Sequence, residues 1–358
     1  MPVWSHWICD TFTGSRMQQV FPSGENWRTS FTGVGSGSHQ FQLRDEETRL
    51  PRATWQDLAT PWARTVVSCW ADVPQYAGLI RTQKYGRFTG VLELSTVEIR
   101  QVLAIRMPFT VPEYDPNGVR AVIGKSLRGI MRQVLDWGTK RPGSNDWSLP
   151  VVLPADESGS QSRSWQMYNF ETVEQLLQQI EGTNGGPDLH LRPRWGATGA
   201  LEWESRIGTL TGPAFEWDST ASEHGLADFT VTKDAAKQLT GVFSIGAGSE
   251  ADMKVGQSPF TGIPGTRIPN LDATRSFKTL ADDAQLDAAA LAELQAFREP
   301  SRVVTLGALA SDVLPSMVLG STLRAWVEGD EFLDDGWYGG TLVGMSGNLS
   351  ETIGMEIA

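Results

Sequence analysis

FTGVLELSTVEI, residues 88–99, alternates apolar and polar side chains along its length. A period of two sends successive side chains to opposite faces, which marks a half-buried β-strand. Working upstream, WARTVVSCW (62–70) is β-branched and aromatic and predicts a second strand. Asp72–Val73–Pro74 is read as a turn, residues 77–80 as a short strand, and Lys84–Tyr85–Gly86–Arg87 as a further turn. Residues 33–38, GVGSGS, lie between Phe31 and Phe41 and are read as a loop or bulge joining strands. Strands packed this densely over residues 1–110 predict a small barrel or sandwich.

Beyond Pro112 and Pro116 the pattern changes. Residues 119–137 set Val119, Ile123, Leu127, Ile130, Val134 and Trp137 at three- and four-residue steps, which predicts an amphipathic helix. A second helix is expected over residues 170–181, capped by Asn169, with Val173, Leu176, Leu177 and Ile180 as its core stripe. Residues 189–195 and 200–204 flank Gly196–Ala197–Thr198–Gly199 and are read as a hairpin. Residues 111–205 are therefore an α+β insert. Strands return at 226–232 and 240–245, followed by a Gly/Pro-rich loop over 246–269 and helical segments over 276–297. The tail is read as strands at 317–327 and 339–357 around an acidic turn at 328–336. No internal repeat supports a solenoid.

Composition narrows the function. The 358 residues carry a net charge of −12, and 40% are hydrophobic, enough for a folded core. Lys and Arg minus Asp and Glu give +2 over residues 1–110, −3 over 111–205 and −11 over 206–358. Gripping a phosphate backbone needs clustered cations, so the acidic last part argues against tight nucleic-acid binding. No apolar run approaches the ~20 residues that span a bilayer, and the first ten residues show no secretory pattern. Synthesis in a cytoplasm is expected, without direct membrane insertion. Cys9 and Cys69 build neither a disulfide framework nor a zinc site, and both are expected to be buried.

Each motif with chemical promise has a plainer reading. Gly124–Lys125–Ser126 lacks the glycine spacing of a phosphate-binding loop, because five residues separate it from Gly118; it is also placed inside the 119–137 helix. His6, His39, His190 and His224 are scattered, with no ligand-type spacing. Residues 33–37, GVGSG, put the serine one place too late for a nucleophile elbow. Glu328, Asp330, Glu331, Asp334 and Asp335 do not alternate as a calcium loop requires, and are read as a solvated turn. Glu202 and Glu204 share one face of a strand, the wet one. Trp4, Trp7, Trp27, Trp55, Trp62 and Trp70 offer either a sugar-stacking platform or core and interface packing; their recurrence in strands favours packing. No catalytic, cofactor-binding or metal-binding residue is assigned, and the chain is read as no enzyme.

One ordered block carries a family likeness: WSLPVVLP (147–154), YNFETVEQLLQQI (168–180), GGPDLHLRPRW (185–195) and GALEWESRIG (199–208). It resembles the minor tail or baseplate hub proteins of long-tailed phages that infect actinobacteria. VLGSTLRAWV (318–327), Gly336–Trp337–Tyr338 and TLVGMSGNLSETIGMEI (341–357) look like closing barrel strands of that family. The resemblance implies a mainly β fold with α+β inserts and two small tail-tube-like β-barrels. The first is expected over 1–110; the second is discontinuous, over 206–265 and 300–358, with a helical insert at 266–299. It implies a structural subunit of the virion tail tip, made in the bacterial host cytoplasm. Three copies would form a hub ring that continues the tail tube and joins the distal tail protein to central tip or fibre proteins, with phage DNA passing unbound through the lumen. It brings no cofactor and no catalytic residue. A carbohydrate-binding receptor module and a cell-wall hydrolase are the alternatives.

Overall fold

A computed structural model describes residues 4–31, 33–46, 49–141, 146–258, 268–278, 280, 282–314 and 316–358. The strands β1 (Trp4–Asp10), β2 (Arg16–Val20), β3 (Gly24–Ser30) and β4 (Ser36–Gln42) come first, followed by helix α1 (Arg52–Leu58). Then come β5 (Arg64–Trp70), β6 (Val73–Tyr85), β7 (Val91–Glu98), α2 (Arg100–Leu103), β8 (Val119–Lys125) and α3 (Leu127–Thr139). The middle continues with β9 (Val151–Val152), β10 (Gln161–Gln166), α4 (Val173–Glu181), β11 (Asp188–Trp195) and β12 (Leu201–Gly208). After these lie β13 (Ala214–Asp218), β14 (Leu226–Asp234), β15 (Gly241–Ile245), β16 (Val255–Ser258), β17 (Asp272–Ser276) and α5 (Asp283–Phe297). The chain ends with β18 (Ser301–Leu309), α6 (Ala310–Val313), β19 (Thr322–Val327), β20 (Gly336–Asn348) and β21 (Thr352–Ile357). Strand exceeds helix, 45% to 18%, so the fold is mainly β.

The chain divides into two compact units, residues 1–229 with 306–358, and residues 230–305. One long sheet runs β14-β18-β21-β20-β3-β4-β7-β6-β5-β1-β2, and the unit boundaries at 229/230 and 305/306 fall within β14 and β18. The strand β20 joins its two halves: residues 336–341 pair with β19 and residues 344–348 with β3. Among the described residues the sheet does not close through backbone pairing; β2 and β14 end its main path, and β13, paired with β19 alone, ends a branch that leaves β20.

The N-terminal half nevertheless curls tightly. In a flat sheet β1 and β3, five places apart, would be separated by about 24 Å. Instead His6 Nε2 of β1 lies 2.7 Å from Glu25 Oε2 of β3, and the Trp4 and Trp27 ring centroids are 6.1 Å apart. The concave face therefore packs on itself. Ile8, Phe41, Val66, Ile80, Leu92 and Leu94 fill it, and α1 plugs one end with Trp55 and Leu58. The convex face is covered separately. Cys9, Val67, Cys69, Ala77 and Leu79 there meet Ile130, Met131 and Val134 of α3 and Val173, Leu176 and Leu177 of α4.

Alternation is what allows one strand to serve both cores: Ile8 faces inward and Cys9 outward, Val66 inward and Val67 outward. The smaller unit is a three-stranded sheet, β16-β15-β17, on which α5 packs through Leu239, Val242, Ala290 and Leu294.

Several local expectations need correction. The helix expected over 119–137 begins only at Leu127, and residues 119–125 are β8. Gly124 takes φ +69 and the Ser126 hydroxyl caps α3 by accepting from Gly129 N at 3.1 Å, which stops the helix there. Ile123, assigned to the core stripe, is 75% exposed, whereas Ile130 and Val134 are buried as expected. The next helix starts at Val173, not residue 170, and its cap is Thr172 in a capping box with Gln175 rather than Asn169, since Phe170 sits at φ 51.

The short strand expected at 77–80 is the centre of the longer β6, so the turn expected at 84–87 starts only after Tyr85. The 33–38 loop yields to β4 at Ser36. Residue 276 closes β17 and the helix starts at Asp283, while the tail strand begins at Thr322 and not 317. Of the Gly/Pro-rich loop over 246–269, residues 255–258 form β16 and residues 259–267 lie outside the described residues.

One buried cation binds the helical layer to the sheet. Arg100, immediately after β7, donates from Nε to both Glu174 carboxylate oxygens at 2.9 Å and from Nη2 to Glu181 Oε2 at 2.7 Å. Its Nη1 donates to the carbonyls of Phe31 and Leu189. Truncating one partner of a buried ion pair strands the other charge. Arg100→Ala is expected to cost about 3–5 kcal/mol in urea unfolding, with early loss of the α4 helical signal.

Candidate functional site

The densest polar cluster in the described residues lies inside the curled sheet. Glu25 of β3, His39 of β4, Ser68 of β5, Tyr76 of β6 and Thr96 of β7 all face inward, as does His6 of β1. The Glu25 carboxylate takes His6 on Oε2, and its Oε1 lies 3.0 Å from His39 Nδ1. The Ser68 hydroxyl donates to the same Oε1. His39 Nε2 lies 3.2 Å from Thr96 Oγ1, which is 2.9 Å from the Tyr76 hydroxyl. Trp27 stacks on Tyr76 with centroids 5.8 Å apart, closing the cluster on that side. A side chain at Gly78 would collide with the Tyr76 hydroxyl and Thr96, so glycine keeps room for this chain of hydroxyls.

Serine, histidine and a carboxylate in contact resemble a hydrolytic triad, but the wiring differs. In a triad the serine gives its proton to histidine and the carboxylate orients that histidine. Here Ser68 donates to the carboxylate, and Glu25, His39 and Ser68 show essentially no exposed side-chain surface. A nucleophile needs access to a substrate carbonyl. The arrangement is built to hold strands: one carboxylate gathers side chains from β1, β4 and β5.

Burial alone would raise the Glu25 pKa, yet the hydrogen bonds from His39 and His6, with their charge, outweigh it and hold the carboxyl at about 2. Two of the four histidines that looked scattered along the chain, His6 and His39, thus converge on one carboxylate. Only the rolled sheet shows this.

The other two histidines do less. His190 on β11 is buried, and that burial, followed by the charges of Arg206, Arg192 and Arg100, holds its pKa down at about 3. It stays a neutral core imidazole. His224 Nδ1 accepts from Leu226 N at 3.1 Å, a local turn contact. Among the described residues, no group of His, Cys, Asp and Glu could hold a metal ion.

Gly124–Lys125–Ser126 does sit between a strand and a helix, contrary to expectation, as a phosphate loop would. Its groups are already engaged, however. The Ser126 hydroxyl caps α3, Ser126 N donates to the Glu157 carbonyl and Lys125 pairs with Asp156. The acidic turn supports its own backbone: Asp330 Oδ1 accepts from Phe332 N and Leu333 N, and Asp335 Oδ1 from Gly329 N. Glu202 and Glu204 both accept from Arg194 across the β11–β12 hairpin, at 2.8 and 3.2 Å.

Among the tryptophans considered for sugar stacking, Trp27, Trp55 and Trp70 are buried, and Trp4 packs edge-on against Trp27 and Trp70. Trp7 lies under the Arg16 guanidinium, which also covers Trp195 at 3.7 Å. Only Trp62 of the six reaches the exposed range, so they form no exposed aromatic platform.

Two measurements check these assignments. A carboxyl whose folded pKa lies below its unfolded value of 4.5 stabilises the fold above that value and loses this contribution as pH falls toward about 2. Urea unfolding from pH 7 downward should show that loss in the unaltered chain. Glu25→Gln should be less stable at neutral pH and lack that part of the acid dependence. Burial also pushes the Cys9 thiol up to about 12 and raises Cys69. Native protein should leave both thiols unreacted with a disulfide reagent at pH 8, and urea should release both.

No protein-family model matches the chain, and no curated protein matches it in sequence. Solved structures do match. A tail protein from Neisseria meningitidis MC58 superposes with a TM-score of 0.55 at 15% identity, over 99% of this chain and 95% of that one. The 43 kDa tail protein of prophage MuSo2 from Shewanella oneidensis gives a TM-score of 0.60 at 9% identity, covering 99% and 98%. At such identities the likeness is one of architecture: this chain has the fold of those tail proteins.

Proposed function

We propose that this chain is a structural subunit of a phage tail tip. The observation that carries the reading is end-to-end coverage: the likeness to the two tail proteins takes in 99% of this chain and nearly all of theirs. A fold does not by itself assign a function. The polar side chains with catalytic potential add support, since they are spent on strand-to-strand bonds inside a sealed core. The proposed subunit forms a trimeric hub ring that continues the tail tube and links the distal tail protein to the central tip.

In this reading residues 1–110 are the first barrel, which curls without closing its hydrogen-bond ladder. Residues 206–265 and 300–358 form the second, and 111–205 and 266–299 are the inserts. The −11 balance after residue 205 suits a channel wall past which DNA slides without counterion-release binding. The burial of Trp27, Trp55 and Trp70 weakens the sugar-binding alternative.

Electron microscopy of the phage particles, labelled with antibody to this chain, should place the label at the tail's free end with threefold averages. Label on the capsid, or none on the particle, would overturn the assignment. In an assembled ring, the lumen-facing residues should sum to negative charge; a lumen dominated by Lys and Arg would remove the channel-wall role.

A further inference from the structure

Two features of the larger unit complement one another. The first is a groove of about 1070 Å³ beside α1, at the plugged end of the curled sheet. Its apolar lining includes Leu50, Trp55 and Tyr85, and Arg49, Arg52 and Arg87 border it. These three arginines are exposed and form no ion pair with a carboxylate among the described residues. The second is the loop between β19 and β20. It carries Glu328, Asp330, Glu331, Asp334 and Asp335 with no cation among them, and it presents Phe332 at 88% exposure. Backbone bonds to Asp330 and Asp335 hold the loop in shape, so little ordering remains to be done on docking.

Within one chain the two features are kept apart by the strand register. The groove lies at the Gly24 end of β3, beside Gln42 of β4 and Val91 of β7. At its far end Ser30 pairs with Gly344 of β20, and β20 then continues away to Gly336, where the acidic loop begins. At ~3.3 Å per residue this is roughly 45 Å of strand path. The groove's natural occupant is therefore another molecule carrying the same loop.

We infer that the Phe332 loop of one copy seats in the arginine-bordered groove of a second copy, Phe332 against Trp55 and Tyr85, its carboxylates facing Arg49, Arg52 and Arg87. The inference rests on the hub reading for its setting and names the contact by which copies join. Knob and groove are different surfaces of the same chain, so the contact is head-to-tail. Such contacts close into a ring when the rotation permits.

The test uses the full chain in analytical ultracentrifugation. Phe332→Ala removes the knob and Arg52→Glu reverses charge at the groove; each alone should weaken self-association by about thirtyfold or more. Raising the salt should weaken association of the unaltered chain. Mixing the two variants is decisive: the intact groove of Phe332→Ala accepts the intact knob of Arg52→Glu, giving a one-to-one dimer that grows no further. A misfolded variant would not do this.

If the unaltered chain assembles and both variants assemble equally well, the contact is wrong while the hub reading stands. If the mixture stays monomeric, or the unaltered chain never associates, the contact is also overturned. The tail-labelling experiment judges the hub reading separately.

Discussion

A carboxylate sealed inside a sheet is tolerable only when it is paired and hydrogen-bonded, and both oxygens of the Glu25 side chain have polar neighbours. His6, His39 and Ser68 reach it from three other strands, and two of these, β1 and β5, stand far from β3 in the sheet order. The backbone ladder never closes between β1 and β3. Side-chain bonds do that work, and they set how tightly the sheet rolls. The apolar filling of Ile8, Phe41, Val66 and Leu94 then supplies bulk stabilisation, while the polar cluster selects one curvature from those the filling would accept.

Rolling the sheet leaves its outside to be covered. The insert does this with α3, α4 and the β11–β12 hairpin, clamped by Arg100 to the two α4 glutamates. A second set of contacts holds the hairpin: Leu201 N donates to the Gly14 carbonyl at 2.7 Å, and Trp195 Nε1 donates to the Asp72 carbonyl. The N-terminal strands thus serve two cores at once, one per face. Trp27 and Trp55 fill the rolled interior, while Trp7 packs against the covering layer.

The Glu25, His39 and Ser68 side chains lie where no substrate reaches, and Asp330, Asp335, Glu202 and Glu204 are engaged in turn and cross-strand contacts. On the outside, Arg49, Arg52 and Arg87 have no carboxylate partner among the described residues, and the acidic loop after β19 presents an exposed Phe332 ring.

Much of this was legible in the chain. Alternation over residues 88–99 and β-branched runs such as 62–70 determined a strand-rich fold, because a period of two has one structural solution when one face is buried and the other is not. Helical stripes at Ile130, Val134, Leu176 and Leu177 were equally readable, although their starting points were not. A three- and four-residue rhythm ran on through Val119 and Ile123, and only the left-handed backbone at Gly124 and the Ser126 cap ended the helix at Leu127. The meeting of His6 and His39 on Glu25, the burial of His190 and the separation of groove from acidic loop belong to tertiary structure alone. Local sequence dictates which face a side chain takes; how far a sheet curls, and which distant strands touch across it, depends on contacts between residues that no short-range pattern links.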